Sequence, residues 1–269
     1  MNGPTRDRKI ARLRDARRIW AVPAVHGEAA RLMRLHDLIA VRTQPGDRVV
    51  YLGNYLGYGD EIAATIDELL DFRRRFLARP SGFGCDVVFL RGAQEEMWQK
   101  LLQLQFAPNP GAVLQWMVNA GVEATIRAYG GDLRQGLAAT RDGPRTITRW
   151  TTALRGAMNA VPGHTTLFTR LRHAAMTDTG GLLFVHAAVE PSRELPEQGD
   201  AFWWGGYDIL ELAAPFAGFR RVVRGFDRSH RGVVETPFAL SIDGGAGHGG
   251  PLLSACLDLE GSPIDTVRA

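Results

Sequence analysis

The sequence predicts an α/β fold with a two-layered sheet core and a helical insertion, and three observations carry that expectation. Short apolar runs alternate with amphipathic stretches of helical spacing through the first third of the chain. A long middle segment keeps helical periodicity with no strong strand signal, and apolar runs return in the second half.

Taken in order, an apolar strand from Ile19 and a turn lead into a helix over residues 28–41, with Leu32, Leu35, Leu38 and Ile39 on one face. Residues 48–52 form a short strand closed by Gly53, and the glycine-rich turn Gly57-Tyr58-Gly59 follows. A second helix is expected over 60–77, where Ile62, Ile66, Leu69, Leu70 and Phe76 fall at helical spacing, and residues 86–90 form a third strand ending at Gly92. Strands alternating with helices imply βαβ units and a sheet covered on both faces. Residues 96–175 read as a helical cap, with helices over 97–104, 111–120 and 165–174. Strands resume at 181–185, 219–223, 238–242 and 252–259. The expected organisation is a basic arm over 1–18, one domain over 19–260 that includes the cap, and a loose tail over 261–269.

With 269 residues, 45% of them hydrophobic and 23% charged, the chain can bury one large core. Its net charge is only +3, but Lys9 and Lys100 are its only lysines, so arginine dominates the basic side. The pI of 9.1 is a weak pointer to anionic partners. Arg6, Arg8, Lys9, Arg12, Arg14, Arg17 and Arg18, with Asp7 and Asp15 among them, are expected to form a solvated or frayed amphipathic helix; a nucleic-acid partner is not expected. No apolar run approaches the roughly 20 residues that span a bilayer, and no uncharged apolar region follows the basic start, so a cytoplasmic protein without a membrane partner is expected. Cys85 and Cys256 read as small buried hydrophobes.

Loops at the carboxyl ends of strands gather functional groups in α/β sheets. Here they read Pro23-Ala24-Val25-His26-Gly27, Gly53-Asn54-Tyr55-Leu56-Gly57-Tyr58-Gly59, Gly92-Ala93-Gln94-Glu95, Val185-His186-Ala187-Ala188 and Gly225-Phe226-Asp227. In order and spacing these five segments resemble the metal-binding loops of the calcineurin-type metallophosphoesterases, in the serine/threonine-phosphatase-like branch. Trp116, Asn119, Gly121, Thr125, Tyr129 and Gly130 resemble that family's cap stretch, and Ile242-Asp243-Gly244-Gly245-Ala246 with Gly249-Gly250 resembles its late strand and turn. The resemblance spans about residues 18–260 and implies a two-sheet β-sandwich flanked by helices. It also implies a pair of divalent metals that activate water for attack on phosphorus.

At the matched positions the chemistry differs. The resemblance places Ala24 at the first aspartate, Asn54 at the metal-bridging aspartate, Ala93 at the asparagine ligand and Phe226 at the last histidine. Gln94 replaces the histidine that assists the leaving group, and Tyr58 and Gly206 replace the phosphate-clamping arginines. His26 and His186 remain, with no carboxylate among the matched ligands, so a catalytically impaired phosphatase relative is expected, a binding or regulatory module with no cofactor. Its expected partner is a protein or a phosphorylated small molecule.

The candidate ligand-binding residues are His26, Asn54, Glu95, His186, Arg91, Arg224 and His248. The alternative is a residual phosphoesterase in which His26, His186 and His248 hold one manganese, iron or zinc ion with an open position. His26 and His186 equally suit a role in holding their turns, Glu95 suits a helix start, His248 an exposed loop, and the two arginines ion pairs. Asp227, Ser229 and His230 share one loop and do not read as a nucleophile triad. Trp203 and Trp204, beside Phe202, read as core.

Overall fold

A computed structural model describes residues 9–80 and 82–269 of the chain. In chain order the first half runs β1 Ile10–Leu13, β2 Arg18–Val22, α1 Ala29–Ala40, β3 Asp47–Tyr51, α2 Ile62–Leu77 and β4 Val87–Phe89. A helical stretch follows: α3 Ala93–Leu101, α4 Pro110–Asn119, α5 Val122–Ala128, α6 Leu133–Asp142, α7 Pro144–Ala160 and α8 His164–Arg170. The second half holds β5 Ala174–Thr177, β6 Leu182–Val185, the short helix α9 Ala201–Trp204, β7 Arg221–Arg224, β8 Gly232–Glu235, β9 Ala239–Asp243, β10 Leu253–Leu257 and β11 Pro263–Arg268.

Two sheets result, ordered β1-β5-β6-β7-β9-β8 and β11-β10-β2-β3-β4. Strand alternation explains how they stack. Ile19 and Ala21 of β2, Val50 of β3 and Ala255 and Leu257 of β10 face one way. They meet Leu182 and Phe184 of β6, Val223 of β7 and Leu240 and Ile242 of β9 in a dry layer between the sheets. Trp20, Val22, Val49 and Tyr51 point to the other side, where α1, α2 and the cap bury them. On the outer face of the six-stranded sheet, Leu183, Val185 and Val222 pack under Phe202, Trp203, Ile209 and Phe216. The expected α/β sandwich with helices on its faces is the observed architecture.

Local chemistry sets the cap helices. Asn109 accepts the Ala112 N–H at 3.1 Å and Pro110 opens α4, while Asp132 accepts the Arg134 N–H at 2.8 Å to start α6. At the amino ends of β2 and β3 in the five-stranded sheet, Arg18 forms a two-toothed bond to Asp47 (2.9 and 2.7 Å), and Trp20 Nε1 donates to the same carboxylate at 3.2 Å.

Four expectations are corrected. The basic start is not a helix where it is described: residues 10–13 are strand β1, because Leu13 is fully buried between the sheets and the backbone pairs in parallel with β5. Arg6 and Arg8 lie outside the described residues. The tail carries β11, an edge strand antiparallel to β10 with Val267 buried. The helix expected to reach Ala174 ends at Arg170, since Ala174 and Ala175 are buried in the sheet as part of β5. Cys256 is buried as expected, but Cys85 is only half-buried.

Candidate functional site

Strands β2, β3 and β4 run parallel in one sheet, and β6, β7 and β9 run parallel in the other. Their carboxyl ends are stitched together at one rim: Ala24 N–H donates to Gly225 O at 3.0 Å, Val25 N–H to Asn54 O at 3.0 Å, and Gly59 N–H to His26 O at 2.8 Å. Gly53 passes so close to the third loop that a Cβ on it would sit 2.6 Å from Gly92 N and 2.9 Å from His186 Nδ1, with φ at +91°. The structure thus brings together His26, Asn54, Tyr58, Gln94, His186, Phe226 and His248 around one crevice.

The imidazoles of His26 and His186 are both fixed by the backbone. His26 Nδ1–H donates to Leu56 O at 3.0 Å and His186 Nδ1–H to Leu52 O at 2.6 Å, which leaves each Nε2 as an acceptor. Burial lowers the pKa of His26 to about 3 and that of His186 to about 4, so both rings are neutral. Asn54 Nδ2 approaches His26 Nε2 at 3.4 Å, whereas His186 Nε2 is buried with no hydrogen-bond partner.

Aromatic rings fill the space around them. Tyr58 packs edge-on to His26 at 5.0 Å and against His248 at 4.2 Å, and Phe226 stacks on His186 at 5.3 Å. A Cβ on Gly121, where φ is +94°, would strike the Tyr58 ring at 2.8 Å, so the cap is shaped to seat that tyrosine. His26, Asn54, Tyr58 and His230 all hold left-handed backbone, with φ between 47° and 56°. For the tyrosine and the histidines that conformation costs energy, and such positions gather at binding and catalytic sites.

The remaining candidates are committed elsewhere. Glu95 is fully buried, and its two oxygens accept four backbone N–H groups: Gly92 at 2.8 Å, Asn54 at 2.9 Å, Tyr55 at 2.8 Å and Leu56 at 3.2 Å. Burial raises its pKa, against the pull of those four donors. It is a bracket for the second loop and has no oxygen left for a ligand. Asn54 Oδ1 accepts the Gln94 N–H at 2.9 Å, and Gln94 Nε2 donates to Ala120 O at 2.7 Å. Arg91 is paired with Glu96 at 2.7 Å, and Arg224 bonds Ser241 Oγ at 3.0 Å, Asp208 at 3.0 Å and Asp227 at 3.3 Å. Both guanidinium groups thus form the ion pairs that the sequence offers as their other role, while Arg91 Nε and Arg224 Nη2 are buried with no hydrogen-bond partner. Ala24 is buried, Ala93 opens α3, and Gly206 is exposed, away from any neighbour that a Cβ would meet.

Sequence reasoning missed one pair. His230 Nδ1–H donates to Asp243 Oδ2 at 2.9 Å, and its ring stacks on His248 at 4.7 Å. The signal was thin: Asp243 reads as a strand end and His230 as a loop residue, separated by a hairpin.

The residues present do not fit a dinuclear metal centre. Two neighbouring dications need anionic oxygens to offset their repulsion and lost hydration. The carboxylates nearby, Glu95, Asp227 and Asp243, are each saturated by N–H, guanidinium or imidazole donors. Among the described residues no group of three or more His, Cys, Asp and Glu side chains is arranged to hold a metal ion. Nor is any helix there long and apolar enough to cross a membrane.

No family model matches the sequence, and no curated protein matches it either. Solved structures do. The chain is similar to a putative diadenosine tetraphosphatase at 18% identity and TM-score 0.58, covering 97% of this chain and 98% of that one. It is similar to a serine/threonine phosphatase from Saccharomyces cerevisiae described as resembling human phosphatase PP5, at 10% identity and TM-score 0.53, over 97% and 82% of the two chains. A cold-active protein tyrosine phosphatase matches at 11% identity and TM-score 0.53, over 100% and 83%. Over nearly its whole length the chain thus has the overall fold of these phosphatases, an α/β sandwich of two mixed sheets with helices on its faces, which is the fold that the sequence resemblance implied.

Proposed function

We propose that the chain is a non-hydrolysing domain of this fold, a binding or regulatory module that engages a protein or a phosphorylated small molecule at its crevice, in the cytoplasm. The observation that carries the reading is the state of Asn54. At the position where the resemblance places a metal-bridging carboxylate stands a neutral amide whose oxygen caps α3 through the Gln94 N–H and whose nitrogen faces His26. The nearest carboxylate, Glu95, is spent on backbone donors. Gln94 cannot pass a proton near neutral pH, and the positions of both phosphate-clamping arginines carry Tyr58 and Gly206.

Elemental analysis of protein purified without chelator tests this reading, alongside turnover of an aryl phosphate with added manganese. Substoichiometric metal and no metal-dependent turnover are expected. Two equivalents of bound metal, or turnover lost in both His26→Ala and His186→Ala, would overturn it.

A second reading is favoured by one observation: His186 Nε2 is buried, neutral and without a partner, as a metal ligand's nitrogen would be. In that reading one zinc-like ion sits on His26 and His186 with His248, whose ring centroid lies 5.5 Å from that of His26. One equivalent of metal, lost in either histidine variant, would select it.

A further inference from the structure

At the mouth of the crevice, His230 is held in a different way from the two buried imidazoles. Its Nδ1–H points at a carboxylate, Asp243, that is itself buried (1% exposed) and immobilised by the N–H groups of Asp227 at 2.9 Å and Gly245 at 2.9 Å. The imidazole side chain is 26% exposed, and Nε2 makes no hydrogen bond among the described residues and is not among the buried unpartnered atoms. The ring is clamped between His248, stacked at 4.7 Å, and the edge of Phe226 at 6.1 Å, on a left-handed backbone with φ at 47°. A fixed tautomer, a solvent-facing lone pair and a buried anion behind the ring are the requirements for a nucleophilic imidazole.

We infer that His230 is a phosphoryl-acceptor site, its Nε2 taking a phosphoryl group from a small, high-energy phosphate donor with no metal involved. This goes beyond the binding role proposed above and stands or falls separately from it. With phosphoramidate as donor the step balances. The Nε2 lone pair forms the N–P bond, the P–N bond to the protonated amine breaks, and that electron pair leaves on ammonia. Nδ1 keeps its proton, so the phosphorylated ring is cationic and lies against the Asp243 carboxylate, which offsets the charge. No oxidant, metal or second substrate is required. The exposed Arg228, two residues away, carries no ion pair among the described residues and favours approach of an anion.

The test is labelling of the full chain with phosphoramidate, read by intact mass and by mapping the modified residue, with lability to mild acid and stability to alkali as the signature of an N-phosphoryl bond. His230 is expected to take the label first, roughly tenfold or more faster than exposed His248 and than itself in the urea-unfolded chain. Asp243→Asn is expected to slow labelling by roughly tenfold or more, as for imidazoles that lose their carboxylate. Because Asp243 also caps neighbouring N–H groups, His230→Asn is the companion variant. Asparagine tolerates the left-handed backbone, so this variant should unfold like the parent while losing the fast label. Equal labelling of all exposed histidines, a label at another residue, or a fast label that survives His230→Asn would each overturn the inference.

Discussion

Glu95 binds the backbone of Asn54: the carboxylate oxygen Oε2 accepts the Asn54 N–H at 2.9 Å, while Oε1 takes the next two N–H groups in line. A side chain that reads as a possible ligand is therefore the strut of the second loop. Glu95→Ala leaves four buried N–H groups without acceptors, each worth about 1–3 kcal/mol when orphaned. Allowing for relaxation and water entry, the variant should lose roughly 3 kcal/mol or more of stability in urea titration. A loss below about 1 kcal/mol would mean that the loop is held by other contacts.

Acid should destabilise the fold well above the usual carboxylate range. His26 and His186 have folded pKa values of about 3 and about 4, against 6.5 when unfolded. Both are depressed, so the stability is whole above pH 6.5. As pH falls the unfolded chain takes up protons that the folded one refuses, at about 1.4 kcal/mol per histidine for each pH unit. The loss continues until the folded rings protonate. His36, also lowered by burial, adds to it, whereas Glu95, whose pKa burial raises, opposes it. Urea midpoints from pH 7.5 to 4.5 should therefore fall, and the double variant His26→Asn/His186→Asn should flatten that slope.

Putting an anion back at the bridging position should be harmful on its own. Asp at 54 tolerates the left-handed backbone but is buried, and it gives up the amide contact to His26. Asn54→Asp should cost about 2 kcal/mol at pH 7, read by thermal unfolding. Only the combined variant Ala24→Asp/Asn54→Asp/Phe226→His should gain thermal stability when manganese is added. If the single change does so, the crevice is closer to a metal site than its donors suggest.

Tyr58 covers His26 from a conformation better suited to glycine. Tyr58→Gly removes the ring that packs at 5.0 Å on His26 and relieves the backbone at φ 55°, so stability should change by less than about 1 kcal/mol. His26 should then react with diethyl pyrocarbonate several-fold faster, measured by mapping the modified histidine. Unchanged reactivity would show that other groups close the crevice.

The first βαβ units were legible because their strands are buried on both faces and so read as unbroken apolar runs, while α1 and α2 keep a clean helical stripe. The edge strands β1, β8 and β11 were not. β1 is only Ile-Ala-Arg-Leu inside a basic stretch, β8 exposes Val233, and β11 exposes Ile264, so none shows the run that marks a central strand. For the site, loop order placed His26, Asn54, His186 and Phe226 at one rim correctly. What the letters could not convey is hydrogen-bond ownership. The sequence leaves Glu95, Arg91 and Arg224 open between ligand binding and structural pairing; in the fold Glu95 holds four backbone N–H groups and the arginines form ion pairs, and the His230–Asp243 pair exists only because β8 and β9 fold back on each other.

Strand β1 closes the flank of the six-stranded sheet while the next strand, β2, belongs to the other sheet. Trimming the chain at residue 18 to remove its arginines would strip a covering ribbon from β5 and bare a row of unpaired amides and carbonyls. Such a protein would be expected to stick to itself, sheet flank to sheet flank, as its concentration rises. Any lost nucleic-acid affinity in it would reflect that damage as much as the missing positive charge.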